Sequence, residues 1–140
     1  MTAKTKDLLE AELTNSVIGS FYDVHGELGF GFRESIYSLA LERDLIAKAH
    51  RVEREVSVMV YFRGEPFARQ TLDMIVNEKL VIETKSTKFL RPNATSQLFS
   101  YLHATSLEVG LFLHFGREPK FYRVVYENRL KQRRAERRSS

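Results

Sequence analysis

The sequence predicts a mixed β-sheet flanked by helices, an α/β or α+β sandwich. Three observations point there. Apolar residues follow helical spacing up to about Lys48, and from Val52 the period changes to two. The stretch "EVGLFLHFG" (108–116) is an unbroken apolar run of strand length, the mark of a strand buried on both faces.

The first helix is expected to start at "TNS", where Thr14, Asn15 or Ser16 can cap it, with Val17, Ile18, Phe21, Val24 and Leu28 at helical spacing. Gly29 and Gly31 in "ELGFGF" end it. A second helix from about Arg33 to Lys48 presents Ile36, Leu39, Ala40 and Ile46 as its apolar stripe. Glu34 and Tyr37, three apart, share a different face. "VEREVSVMVYF" alternates Val52, Arg54, Val56, Val58 and Val60 with Glu53, Glu55, Ser57, Met59 and Tyr61, which reads as a strand. "RGEP" (63–66) makes a turn, and two further strands, Phe67 to Val76 and Leu80 to Ser86, complete a meander through the short loop Asn77, Glu78, Lys79. Pro92 breaks the chain, and Asn93 or Thr95 caps a helix running to about Thr105. The apolar run follows, "KFYRVVYEN" is the last strand, and the basic tail is read as helical.

One domain fits 140 residues. The expected boundaries are an N-terminal extension over 1–13, the domain over 14–128 and a basic tail over 129–140. A hydrophobic content of 43% with 29% charged residues is that of a globular protein rather than a disordered one. No apolar run approaches the roughly 20 residues of a membrane span, and "MTAKTKDLLEAEL" has no signal-peptide core, so no membrane partner and a cytoplasmic location are expected. With no cysteine, disulfides, thiolate zinc sites and cysteine nucleophiles are excluded together. The net charge of +4 is uneven: Arg129, Lys131, Arg133, Arg134, Arg137 and Arg138 stand against Glu136, leaving residues 1 to 128 at −1. Such a tail suits a phosphate backbone, although charge runs are also common as solvated helix ends.

The chemistry concentrates in "LDMIVNEKLVIETKS" (72–86), where Asp73, Glu83 and Lys85 interrupt strand-like apolar runs. Charges in a half-buried strand cost free energy unless paired, hydrated or bound to a metal. By alternation, Glu83 and Lys85 share one face, with Leu80, Ile82 and Thr84 on the other; Leu72, Met74 and Val76 likewise oppose Asp73. A three-residue loop at 77–79 sets Asp73 directly opposite Glu83, with Cβ atoms about 4.5 to 5.5 Å apart. Two readings follow. Asp73 and Lys85 form a cross-strand ion pair on a solvated face, or the acids share a cation, in which case an oxygen-only donor set selects Mg²⁺ or Mn²⁺ over zinc.

The second helix opens "GFRESIY", a G-x-x-E-x-x-Y pattern at Gly31, Glu34 and Tyr37, preceded by "VIGSFYDVHGELGFGF". With "LDMIVNEKLVIETKS", "SQLFSYL" and "VGLFLHFG" in that order, residues 14 to 126 resemble the GxxExxY family, a branch of the PD-(D/E)XK nuclease-like superfamily. The resemblance implies a central mixed sheet flanked by helices with core order α-β-β-β-α-β. It implies that Asp73 and Glu83 bind the metal, joined by Glu34 and the Thr84 backbone carbonyl. It makes Lys85 the residue that positions or activates water, and Gln97 the residue that completes the site. Tyr37 and Tyr101, with Lys88 and Arg91, are expected against the substrate, the basic pair and the tail holding backbone without reading bases. His114 is read as a satisfied core histidine and His25 as a support of the loop after the first helix; His50 and His103 carry no signal.

The function implied is a Mg²⁺- or Mn²⁺-dependent nuclease acting on nucleic acid, DNA before RNA. The alternative is a nuclease-fold module that binds nucleic acid or a protein partner without cutting. The last strand is an edge able to pair with a second copy, so a homodimer is a further expectation.

Overall fold

The computed structural model describes residues 9–131. Its elements are α1 (Ala11–Leu28), α2 (Glu34–Ala47), β1 (Val52–Phe62), β2 (Glu65–Val76), β3 (Leu80–Lys85), α3 (Ser96–Ala104), β4 (Val109–Phe115) and β5 (Pro119–Val125). The strands form one sheet in the order β1-β2-β3-β4-β5, antiparallel except for β3 and β4, which run parallel. The sheet is therefore mixed, as expected. No helix among the described residues is long and apolar enough to cross a membrane. Of the basic tail, residues 132–140 lie outside the described residues; 128–131 form a helical turn.

Helices α1 and α2 cover one face of the sheet and α3 the other. Beneath α1 and α2, Val17, Phe21, Tyr37, Leu41 and Leu45 pack on Met74, Val76, Leu80, Ile82, Leu111, Leu113 and Phe115. Beneath α3, Leu98, Tyr101 and Leu102 pack on Leu72, Val81 and Phe112. All seven residues of β4 are buried, as a strand covered on both sides must be. Gly110 lets α3 approach: a Cβ there would lie 2.7 Å from Leu98 Cδ1 and 3.0 Å from its Cγ. Because Leu98 is itself fully buried, Gly110→Ala is expected to cost about 1–3 kcal/mol by overpacking, measured as a lower urea midpoint with an unchanged slope.

Three local expectations are corrected. Helix α1 starts at Ala11 rather than at the "TNS" cap, and Leu13 and Thr14 are buried in it, because Leu13 extends the apolar stripe by one turn into the core. On α2 the buried face is Tyr37, Leu41 and Leu45, whereas Leu39 and Ile46 are more than half exposed. The two spacings compete on one amphipathic segment, and α1 seals the side that carries the tyrosine. The third correction concerns β1 and β2. Val52 packs toward α1 and α2 but Val56 and Val58 toward α3, and across the ladder Met74 and Leu72 divide the same way. Both strands invert their pleat at one level, where Glu55 has φ 53° and its pairing with Asp73 is skipped. Such irregularities re-aim a side chain, and the one at that level is Asp73.

Candidate metal and catalytic centre

Strands β2 and β3 pair only through Met74–Ile82, Ile75–Val81 and Val76–Leu80. The same register carried one step further sets Asp73 opposite Glu83, as the loop length predicts. There the backbone ladder stops, and the Thr84 N–H donates to Asp73 Oδ2 at 2.9 Å instead of to a main-chain carbonyl. The strands separate where the acids stand, at the carboxyl end of β3, the usual place for a ligand site in a sheet with parallel strands.

Glu83 is only 2% exposed. Its Oε1 faces Lys85 Nζ at 3.9 Å, and its Oε2 has no hydrogen-bond partner. Lys85 also reaches Glu34 Oε1 at 4.0 Å. Lys85 thus pairs with Glu83 and Glu34, and Asp73 is bound to the Thr84 amide; the cross-strand Asp73–Lys85 pair on a solvated face is not what forms. Burial, reinforced by the charges of Asp73 and Glu34 and opposed by Lys85, pushes the Glu83 carboxyl up from 4.5 to about 7. Glu34 is raised too, by burial first and then by Asp73, against the ammonium of Lys85. Tyr101 is pushed up to about 12 by burial and by the charges of Glu83 and Asp73, against its hydrogen bond from Gln97. The four acidic groups therefore share one electrostatic neighbourhood.

Glu34 owes its place to a clamped loop. Gly29 (φ 71°) and Gly31 (φ 120°) turn the chain out of α1. The Tyr37 hydroxyl donates to the Gly29 carbonyl and accepts from the Phe32 N–H at 3.3 Å. Ser86 Oγ donates to Phe32 O at 2.6 Å, and the Ser38 and Thr84 hydroxyls meet at 2.9 Å. Tyr37 is fully buried and stacks on Phe115, which corrects its expected place against a substrate: the hydroxyl is spent on the loop. Tyr37→Phe is accordingly expected to lose about 1 kcal/mol of stability and to raise hydrogen exchange at the Phe32 amide.

Gln97 donates to the Tyr101 hydroxyl from the first turn of α3. With Lys85 and Arg91 it lines a cleft of about 370 Å³ closed by Thr87, Asn93, Ser96 and Phe112. Lys88 is exposed outside that lining, its ammonium 5.5 Å above the Phe89 ring. Sequence reasoning missed Thr87, Asn93 and Ser96, whose signal was only their small polar character after the E-x-K. His114 Nε2 donates to Thr87 O at 2.9 Å and lies 2.9 Å from its hydroxyl, so it fastens the segment after β3 to β4. His25 Nε2 donates to Gly116 O at 2.7 Å, tying the end of α1 to the β4–β5 turn rather than to its own loop. His50, which carried no signal, joins Ser16 at 2.7 Å to Asn77 at 3.0 Å.

Among the described residues no group of three His, Cys, Asp or Glu side chains closes into a metal cage. Asp73 and Glu83 face each other while Lys85 holds Glu34. A hard cation that keeps several waters needs only one or two carboxylates, and the orphaned Glu83 Oε2 beside Asp73 is the acceptor pair it would take. The donors are all oxygens and suit a hard divalent cation.

A family model described as "PD-(D/E)XK nuclease superfamily" matches residues 11–125. No curated protein matches the chain. Among solved structures, one described as "Crystal structure of SSO0001" superposes with a TM-score of 0.55 at 24% identity, over 91% of this chain and 65% of that one. The chain thus spans about two thirds of the length of that structure, and the likeness is one of fold.

Proposed function

Because the chain belongs to the PD-(D/E)XK nuclease superfamily, we propose that it is a divalent-metal-dependent nuclease that hydrolyses phosphodiester bonds, DNA before RNA. The observation that carries this reading is Glu83: a nearly inaccessible carboxylate with one oxygen on Lys85 and the other unpartnered. An acid kept in that state beside two others is costly for stability and has a chemical use. The G-x-x-E-x-x-Y residues Gly31, Glu34 and Tyr37 support placement in the GxxExxY branch.

Asp73 and Glu83 would hold the cation, with the Thr84 carbonyl and Glu34 completing the set directly or through water. A bound divalent ion supplies Lewis-acid polarisation of the phosphate and lowers the pKa of water. The chain does the rest. The Thr84 amide fixes the Asp73 carboxylate, so its second oxygen is oriented in advance. The Lys85 ammonium, held between Glu83 and Glu34, orients the attacking water or a phosphate oxygen. Gln97, steadied by Tyr101, faces the cleft, where Arg91 offers a contact to a phosphate backbone, and Lys88 is exposed outside that lining.

Labelled single- and double-stranded DNA incubated with Mn²⁺, Mg²⁺ or EDTA tests this directly. Cutting that requires the metal supports the nuclease. Retained binding without cutting under any condition returns the non-catalytic module. Strand β5 is an edge of the sheet, where the expected second copy would pair.

A further inference from the structure

Strands β1 and β2 are 11 and 12 residues long, but β3 has six, of which only Leu80, Val81 and Ile82 pair with β2, opposite Met74 to Val76 at its end. The outer part of the β1–β2 hairpin therefore projects past the sheet. Its root packs through Val56, Val58 and Leu72, and Gln70 Nε2 donates to Ser100 Oγ of α3 at 3.3 Å. Its tip is different. Tyr61, Phe62 and Phe67 are 64%, 55% and 70% exposed. The Phe62 and Phe67 rings lie 5.4 Å apart, and the Arg63 guanidinium stands 5.0 Å over Phe62. Arg63 (φ 52°) and Gly64 (φ 78°) make a two-residue turn of the kind that stiffens a hairpin.

Exposed aromatics clustered on a stiff tip mark a contact surface. We infer that this hairpin is an arm whose Phe62, Phe67 and Arg63 stack on unpaired bases of a nucleic-acid strand whose scissile phosphate lies at Asp73 and Glu83. The inference rests on the nuclease reading. Two features select this occupant. Arg63 and Arg69 outweigh Glu65, which suits a polyanion, and aromatic faces next to a guanidinium are what bases stack on. The arm is also continuous with the site, since β2 itself carries Asp73. From Leu72 to Glu65 the strand reaches about 23 Å at ~3.3 Å per residue. At the ~3.4 Å rise of a fully stacked strand that is at most about seven nucleotides, and fewer where the strand is extended.

The chain contains no tryptophan, so Phe67→Trp places a sole indole at the tip. Its emission is read in EDTA against single-stranded DNA of about four and about 20 nucleotides and a 20-base-pair duplex, lengths chosen to bracket that reach. Anisotropy of the labelled DNA reports binding independently. The expected result is quenching by the long single strand and not by the short one or the duplex, with binding of the long strand weakened about tenfold in Phe62→Ala. Binding of the long strand without quenching, or equal quenching by the duplex, overturns the arm and leaves the nuclease reading standing. Absence of binding by every DNA also overturns the arm, and the nuclease reading then rests on the cleavage test with Mn²⁺ or Mg²⁺. Dissociation of a dimer in Phe62→Ala, seen by gel filtration, assigns the tip to a second copy and overturns the inference.

Discussion

Glu83→Gln is expected to abolish metal-dependent cleavage, by at least about a hundredfold, while the circular dichroism spectrum and the melting temperature hold or improve. The substitution keeps the shape of the side chain and removes the charge that faces Lys85 at 3.9 Å. It also removes the like-charge crowding with Asp73 and Glu34 that burdens the folded state. Lys85→Ala is expected to lose activity on the order of a hundredfold or more for a different reason: Glu83 and Glu34 then face each other without the cation between them. Added Mn²⁺ is expected to restore the stability of Lys85→Ala but not its rate. Cleavage by Glu83→Gln at the wild-type rate would place the chemistry elsewhere in the molecule.

Stability in EDTA falls as the pH rises from 4.5 to about 7 and then levels off, so far as Glu83 contributes. The sign follows from linkage. The folded carboxyl holds its proton more tightly than the unfolded one, so its contribution is complete below 4.5 and is lost as the pH passes the folded value of about 7. The size, for a residue this buried, is about 3 kcal/mol. Chemical denaturation at pH 5 and pH 8 measures it, and Glu83→Gln should flatten the difference. A divalent cation held by the deprotonated pair would work in the opposite sense; Mn²⁺ is expected to raise the midpoint more at pH 8 than at pH 5. A wild-type profile unchanged by Glu83→Gln would mean that Glu83 is not protonated in the folded chain.

Much of this was legible in the sequence. Strands announce themselves by period and by apolar runs, so β1, β3 and β4 stand where expected. The loop at 77–79 fixed the Asp73–Glu83 register because hairpin length determines pairing, and alternation placed Glu83 and Lys85 together. Local patterning could not decide between faces. Ile36, Leu39 and Ile46 satisfy helical spacing as well as Tyr37, Leu41 and Leu45 do, and only the docking of α1 buries one set. Nor does alternation foresee its own interruption. The inversion at Glu55 and Asp73 comes from one left-handed residue, and it opens the sheet where the carboxylates meet.

The order of elements along the chain, the facing of Asp73 and Glu83 and the all-oxygen character of the donors there could be read from the chain alone, because they follow from periods of two and 3.6, from loop length and from donor chemistry. Packing of the assembled chain was needed to show that Lys85 pairs with Glu83 and Glu34, that Tyr37 is a strut of the 29–33 loop, and that a bare hairpin tip projects from the strand bearing Asp73. Those outcomes depend on which surfaces meet, and burial is a property of the assembled chain.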